Sequence, residues 1–202
     1  MKLYVVPGAC SLAPHIALRE TGIRFEVAIV ALPSRRVDDG SSFIEVNPKG
    51  YVPALRLDDG QVLTENVAVL LYIAERHPAA QLAPPAETMA RFRLIEWLAF
   101  INSELHKAFS PFFAPGVPEG AQQYALERIT KRLDYVEGVL GDAEFLIGDH
   151  FTIADAYLFT VLSWCPEVRI DLLRWPNLAR YKERIGARPA VLTALKVEGL
   201  VP

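Results

Sequence analysis

The chain changes character once, at residues 77–85, and that change limits the folds open to it. The stretch His77-Pro78-Ala79-Ala80-Gln81-Leu82-Ala83-Pro84-Pro85 is rich in proline. Proline lacks a backbone donor and steers its predecessor away from the helix, so no regular element is expected to run through. Before this break, short β-rich runs alternate with helical spacing. Lys2 to Val6 is a β-rich run closed by Pro7-Gly8. Ser11 to Thr21 has helical spacing, with Leu12, Ile16 and Ala17 on one face and Gly22 at the C-cap. Phe25 to Val30 is a second β-rich run, followed by a polar, basic loop with Arg35, Arg36, Asp38, Asp39 and Gly40. Ser41 to Val46 reads as a short helix stopped by Asn47-Pro48-Lys49-Gly50. Val52 to Leu57 and Gln61 to Leu63 flank the hairpin signal Asp58-Asp59-Gly60, and Thr64 to Arg76 is helical. A βαβ unit wants its strands parallel and a hairpin wants them antiparallel. The expected result is a mixed four-stranded sheet.

After the break only helical spacing recurs. Glu87 to Phe113 reads as one long helix with Trp97, Ile101 and Leu105 on one face, and Ala121 to Leu140 as a second. Thr152 to Cys165 is a third, entered through Thr152-Ile153-Ala154-Asp155, a capping box with Asp in place of Glu. Pro176 to Ala187 and a shorter piece from Pro189 complete the chain. The expected division is an α/β domain over 1–77, a linker over 78–85 and an all-α domain over 86–202.

Composition narrows the functional classes. The chain has 202 residues, 51% of them apolar, enough for a sizeable core. Its formal charge of −3 provides no field for nucleic acid or an anionic membrane, so neither is expected as a main partner. The apolar run Val67 to Ala74 falls far short of the ~18 residues a membrane span needs. Leu3 to Val6 is shorter than the roughly 7–15-residue core of a secretory signal. Two sequence-distant thiols, Cys10 and Cys165, fit a reducing compartment, so a cytoplasmic protein is expected. Dinucleotide, P-loop, zincin and paired-cysteine zinc signatures are missing, and no metal is expected.

Four places carry chemistry. Cys10 follows the first strand at the mouth of the first helix, where unpaired N–H groups and the dipole favour a thiolate. Position 13 is Ala13, which excludes a dithiol across this turn and leaves a single thiol acting on an outside one. Val52-Pro53 precedes a strand. A cis bond there would turn the strand edge outward toward an extended peptide, and the sequence leaves the isomer open. Thr64-Glu65-Asn66 opens a helix, with Thr64 as cap. Its free N–H groups with Asn66 suit a carboxylate, and Glu65 suits an ammonium. Ser103, His106 and Lys107 are i, i+3 and i+4 neighbours, a face able to stabilise a thiolate. His15, His77 and His150 read as satisfied surface residues.

Assembled, these residues resemble a cytosolic glutathione transferase of the bacterial beta class. The likeness covers nearly the whole chain. It runs from Met1-Lys2-Leu3-Tyr4 through Pro7-Gly8-Ala9-Cys10-Ser11-Leu12-Ala13-Pro14-His15, Asn47-Pro48-Lys49-Gly50 and Val52-Pro53 to Leu63-Thr64-Glu65-Asn66. It continues through Ile95-Glu96-Trp97-Leu98, Ser103-Glu104-Leu105-His106-Lys107 and Gly148 to Ala156. The resemblance implies a thioredoxin-like N-terminal domain, an all-α C-terminal domain and a homodimer. By position it implies that Cys10 faces the glutathione sulfur and that Arg35, where relatives commonly have Lys, holds the glycine carboxylate. Val52, beside a cis Pro53, would pair with the cysteinyl unit, and Glu65 and Asn66 would hold the γ-glutamyl end. His106 and Lys107 would approach the sulfur. Ser103 and Glu104 would sit near the site, Glu104 serving the neighbouring subunit. One departure is Ala99, where a relative carries Asn.

The reaction expected from the resemblance is conjugation of the glutathione thiolate to small hydrophobic electrophiles, with glutathione as co-substrate. Cys10, His106 and the hydroxyl of Ser11 are the candidate catalytic groups. Two alternatives stay open: a glutathione-dependent thiol-disulfide or peroxide reductase centred on Cys10, and a non-catalytic ligand-binding dimer module.

Overall fold

The computed structural model of the chain describes residues 1–32 and 34–202. Strands β1 (Lys2–Val5) and β2 (Glu26–Ala31) are parallel, joined through helix α1 (Leu12–Glu20). A two-residue strand, β3 (Arg36–Val37), follows β2 and pairs antiparallel with it. After the one-turn helix α2 (Phe43–Val46), β4 (Ala54–Arg56) pairs antiparallel with β1, and β5 (Val62–Thr64) pairs antiparallel with β4. The sheet order is β3-β2-β1-β4-β5, and α3 (Asn66–Arg76) closes this half. The sheet is mixed as expected but has five strands, not four. The extra strand lies in the basic loop, where Val30 pairs with Val37 and Ala31 with Arg36. Two residues are too few to show a period of two.

Alternation along β1 divides the core. Leu3 and Val5 face α1 and α3, while Tyr4 faces Phe43 of α2 together with Val30, Val37 and Ala54. Helix α1 is buried from Leu12 to Leu18 because it is packed on more than one side, by α3 within its own half and by two helices of the other half described next.

The second half is helical: α4 (Met89–Phe100), α5 (Ser110–Phe113), α6 (Glu119–Leu140), α7 (Ile153–Leu162), α8 (Pro176–Gly186) and α9 (Pro189–Val197). Helices α7 and α9 cover α1, and one buried apolar cluster runs through both halves. The stretch between the halves is tied down, since Leu82 is buried and its carbonyl accepts from Ile153 N at 2.9 Å. No helix is long and apolar enough to cross a membrane among the described residues.

Residues 87–113 do not form the single helix their periodicity suggests. After α4 the backbone widens into a π-helical turn, Ile101–Leu105, then tightens into a 3-10 turn, His106–Phe109. Pro111 contributes to the break, because it cannot donate to the carbonyl of Lys107, which instead accepts from Ser110 N. The π turn sits among the residues singled out for chemistry.

The capping box of α7 forms as read. Thr152 Oγ1 accepts from Ala154 N, and Asp155 Oδ2 accepts from Thr152 N at 2.8 Å and Thr152 Oγ1 at 2.9 Å. Asp155 Oδ1 also accepts from Leu146 N at 2.9 Å and Tyr181 Oη at 2.8 Å, all within the core. Asp155→Ala strands several buried donors at once and is expected to cost about 3 kcal/mol or more. Thr152→Ala removes the cap bond from Ala154 and one of the donors to Asp155, and is expected to cost about 1–2 kcal/mol. Urea unfolding at matched protomer concentration checks the ranking, and equal losses would refute it.

Candidate functional site

The loop from Val6 to Ser11 carries Cys10 and is fixed from several directions. Gly8 has φ +74°, a conformation that favours glycine. Its N–H donates to Glu198 Oε2 at 2.9 Å, and its carbonyl accepts from Trp164 Nε1 at 2.7 Å. The other oxygen of Glu198 lies 2.8 Å from His15 Nδ1, with both side chains fully buried. Arg19 Nε donates to His15 Nε2 at 3.3 Å, so Nδ1 carries the ring proton toward Glu198. His15, expected at the surface, is therefore a core residue bonded at both nitrogens. Ser11 is also turned inward. It is fully buried, and its hydroxyl accepts from Val6 N at 3.1 Å and faces Val6 O at 3.4 Å. The expected donor role for Ser11 is corrected on that ground.

Cys10 points across to the start of β4, and its thiol donates to Val52 O at 3.2 Å. The Val52-Pro53 bond is cis. Burial pushes the thiol up to about 11, against the opposing pull of the Lys107 ammonium and the N–H groups of Cys10 and Ser11. Desolvation outweighs the helix mouth, so the thiolate tendency read from position is reversed. Cys10 is an S–H donor near neutral pH.

Glu65 and Asn66 lie at the entrance of α3. Glu65 has φ +72°, a strained conformation for a side chain of its size. Lys49 Nζ donates to Thr64 Oγ1 at 2.9 Å and pairs with Glu65. Thr64 therefore does not cap. The residue flanking the helix is Glu65, and among the described residues no side chain caps α3. Asn66 is buried, and neither its Nδ2 nor its Oδ1 meets a partner among the described residues. A buried amide left this way costs about 1–3 kcal/mol per group, which marks a place built to be completed by something else. Arg35, at φ +56°, donates to Gly50 O and lies 5.9 Å from the Tyr51 ring. Its guanidinium is thus fixed two residues from Val52.

His106 and Lys107 occupy the junction of the π and 3-10 turns. His106 Nδ1 lies 2.7 Å from Tyr157 Oη, and its ring meets Trp164 edge-on at 4.9 Å. Burial, with a smaller push from Lys107, lowers its pKa to about 4, so the imidazole is neutral near pH 7. The irregular turns undo the α-helical spacing that grouped Ser103 with these two. Ser103 donates to Ala99 O at 2.9 Å and is exposed. Glu104 accepts from Arg132 at 2.5 Å and Arg128 at 3.1 Å, and Arg132 chiefly holds its carboxyl below the usual range.

The geometry brings Cys10 together with Val52 and sets the Lys107 and Glu65 charges close enough to act on its thiol. It leaves Ser11 in the core and Glu104 engaged with α6. Sequence reasoning passed over Tyr157, Trp164 and Glu198. Each reaches the site from far along the chain, with no local pattern to mark it.

Models of the glutathione S-transferase N-terminal domain and C-terminal domain match residues 8–76 and 100–189. Glutathione S-transferase GstA of Escherichia coli O157:H7 is 46% identical over 200 residues, covering 99% of the chain and all of that protein. The solved bacterial beta class glutathione S-transferase of Sphingomonas chungbukensis has a TM-score of 0.96 at 51% identity, with all of both chains covered. A sphingomonad glutathione S-transferase complexed with glutathione has a TM-score of 0.96 at 48% identity, again over all of both chains.

The raised pKa of Cys10 sets its reactivity. Iodoacetamide at about pH 8 is expected to modify Cys10 roughly 100-fold more slowly than free cysteine, since only the thiolate reacts. The rate should climb about tenfold per pH unit between about pH 7 and pH 9. Mass spectrometry of the Cys10 peptide reads this, and rapid labelling at pH 7 would show that the thiol is ionised after all.

Proposed function

The chain belongs to the glutathione S-transferase family, and from that premise we propose that its site joins the glutathione thiolate to small hydrophobic electrophiles through the residues just described. The observation that carries this reading is the buried, unpartnered amide of Asn66 at the uncapped entrance of α3. Asn66 and the helix N–H groups take the carboxylate of the γ-glutamyl end. Glu65, already paired with Lys49, takes its ammonium. The Val52 backbone, next to Pro53, pairs with the cysteinyl unit, and Arg35 takes the glycine carboxylate. The sulfur then lies by Cys10, His106 and Lys107. Ser103 and Glu104 border this region, Glu104 toward a second subunit.

A free thiol has a pKa near 8.5, and lowering it by ~2 units stabilises the thiolate by roughly 2.7 kcal/mol. The Lys107 cation and an S–H bond from Cys10 are of the right kind to supply that. Trp164, with Phe109 against it at 5.6 Å and Phe113 at 5.9 Å, provides an aromatic wall for the electrophile. The glutathione-binding half is 1–77 and the helical half 86–202, joined by 78–85. The compartment is the cytoplasm, where Cys10, Cys165 and glutathione stay reduced.

A second reading, disulfide chemistry, is favoured by Cys10 itself. A Cys10 thiolate attacking a glutathione-containing disulfide forms an S–S bond to one sulfur and releases the other as thiolate. A pKa of about 11 makes this slow at neutral pH. Conjugation is therefore the main activity.

The homodimer is supported by an apolar face on α4 and α6. Met89 is 70% exposed, Phe92 59%, Tyr135 54% and Val139 53%. Such a patch is costly in water and suits a second copy of the chain.

Calorimetry with glutathione is expected to show binding to the wild-type protein and at least a tenfold loss for Glu65→Ala. Cys10→Ala should abolish turnover of hydroxyethyl disulfide while lowering conjugation only partly. Absence of glutathione binding by the wild-type dimer would overturn the assignment. In sedimentation, Phe92→Arg is expected to shift the protein toward monomer, and an unchanged dimer would move the interface elsewhere.

A further inference from the structure

Tyr157 is fully buried in α7, yet its hydroxyl reaches the turn that carries His106, and the reading above gives it no task. Its oxygen lies 2.7 Å from His106 Nδ1 and donates to Asn102 Oδ1 at 3.0 Å. A phenol has one proton. With that proton directed to Asn102, the oxygen can only accept from His106. Nδ1 of the imidazole then carries the ring proton, and Nε2 keeps its lone pair. Trp164 at 4.9 Å and Tyr157 at 5.9 Å, both edge-on, restrict the ring from turning over.

We propose that Tyr157 and Asn102 are positioning residues that hold His106 as the Nδ1–H tautomer, so that Nε2 takes up the glutathione thiol proton as the thiolate forms, ahead of attack. This rests on the glutathione reading above. The step balances. The S–H bond breaks with its electron pair staying on sulfur, the proton passes to Nε2 and on to water because the imidazolium is a strong acid here, and a thiolate lone pair then becomes the new C–S bond. The electrophile's leaving group departs with its own electron pair. The transient imidazolium points Nδ1–H at the Tyr157 oxygen, a bond that strengthens as charge develops. Asn102 in turn keeps the Tyr157 proton out of the way. Asn102 and His106 are four residues apart along the turn, so both reach the same phenol oxygen.

The tautomer can be read without turnover, by nitrogen NMR of 15N-histidine protein, with the His106 signals identified by their loss in His106→Gln. The wild type should show Nδ1–H, and Tyr157→Phe a mixture of the two tautomers. With glutathione and 1-chloro-2,4-dinitrobenzene, Tyr157→Phe should lower kcat about tenfold or more while the glutathione KM stays within about twofold. Asn102→Ala should show the same split, and Asn102→Asp, which still accepts the phenol proton, should recover most of the lost kcat. If Tyr157→Phe fails to fold, the Asn102 pair carries the same readouts. An Nε2–H tautomer in the wild type, an unchanged kcat in both variants, or a loss confined to KM would overturn the proposal. Failure of the wild type to bind glutathione sinks the assignment of function instead, and leaves the tautomer measurement standing.

Discussion

Both backbone hydrogen-bonding groups of one residue, Gly8, are held by the other end of the chain. Glu198 takes the N–H and Trp164 supplies a donor to the carbonyl, across sequence separations of 190 and 156 residues. A loop between a strand and a helix is ordinarily among the softer parts of a domain. Here it is clamped, and Cys10 lies two residues beyond the clamp. Glu198 is itself fixed by His15 of α1, so the clamp, the first helix and the last helix form one buried polar chain. The position of the Cys10 side chain is thus set by residues from the far end of the chain.

Electrostatics in the site is a contest between burial and a few fixed charges. For Cys10 burial wins and the thiol keeps its proton. For His106 burial wins in the opposite chemical sense and the ring stays uncharged. Both groups are therefore neutral near pH 7, and the Lys107 ammonium is the cation that acts on the thiol. This division suits an anionic guest. In the function proposed above, cations at the rim favour the carboxylates and sulfur of glutathione, while neutral groups at the floor exchange hydrogen bonds and protons without a standing repulsion.

What the sequence made legible was local chemistry with a short reach. The capping box at Thr152 and Asp155, the Asp-Gly hairpin and the β-rich run from Lys2 depend on neighbours within a few residues, and all three appear in the fold. The identities of Cys10, Glu65 and Asn66 were readable for the same reason. Their states were not. The pKa of Cys10 depends on how much protein surrounds it, and the orphaned amide of Asn66 on what packs behind it. Ser11 and His15 were misplaced because helical spacing marks a face, and α1 is covered on more than one side. Tyr157, Trp164 and Glu198 act through contacts between distant segments that no periodicity records. The π turn escaped because the apolar spacing of Trp97, Ile101 and Leu105 runs through it, while the break answers to Pro111 and to tertiary bonds.

The burial of α1 between the two halves has a consequence for how this architecture can vary. A helix covered by α3 on one side and by α7 and α9 on the other carries two complementary surfaces at once. Glu20 adds a charged rivet, meeting Arg188 at 2.7 and 3.1 Å between α8 and α9. Recombination between diverged relatives at residues 77–85 would preserve each half's own folding pattern and still mismatch this seam. A viable chimera would have to inherit α1, α7 and α9 from one parent, so the practical crossover points lie away from the proline-rich boundary that the sequence advertises.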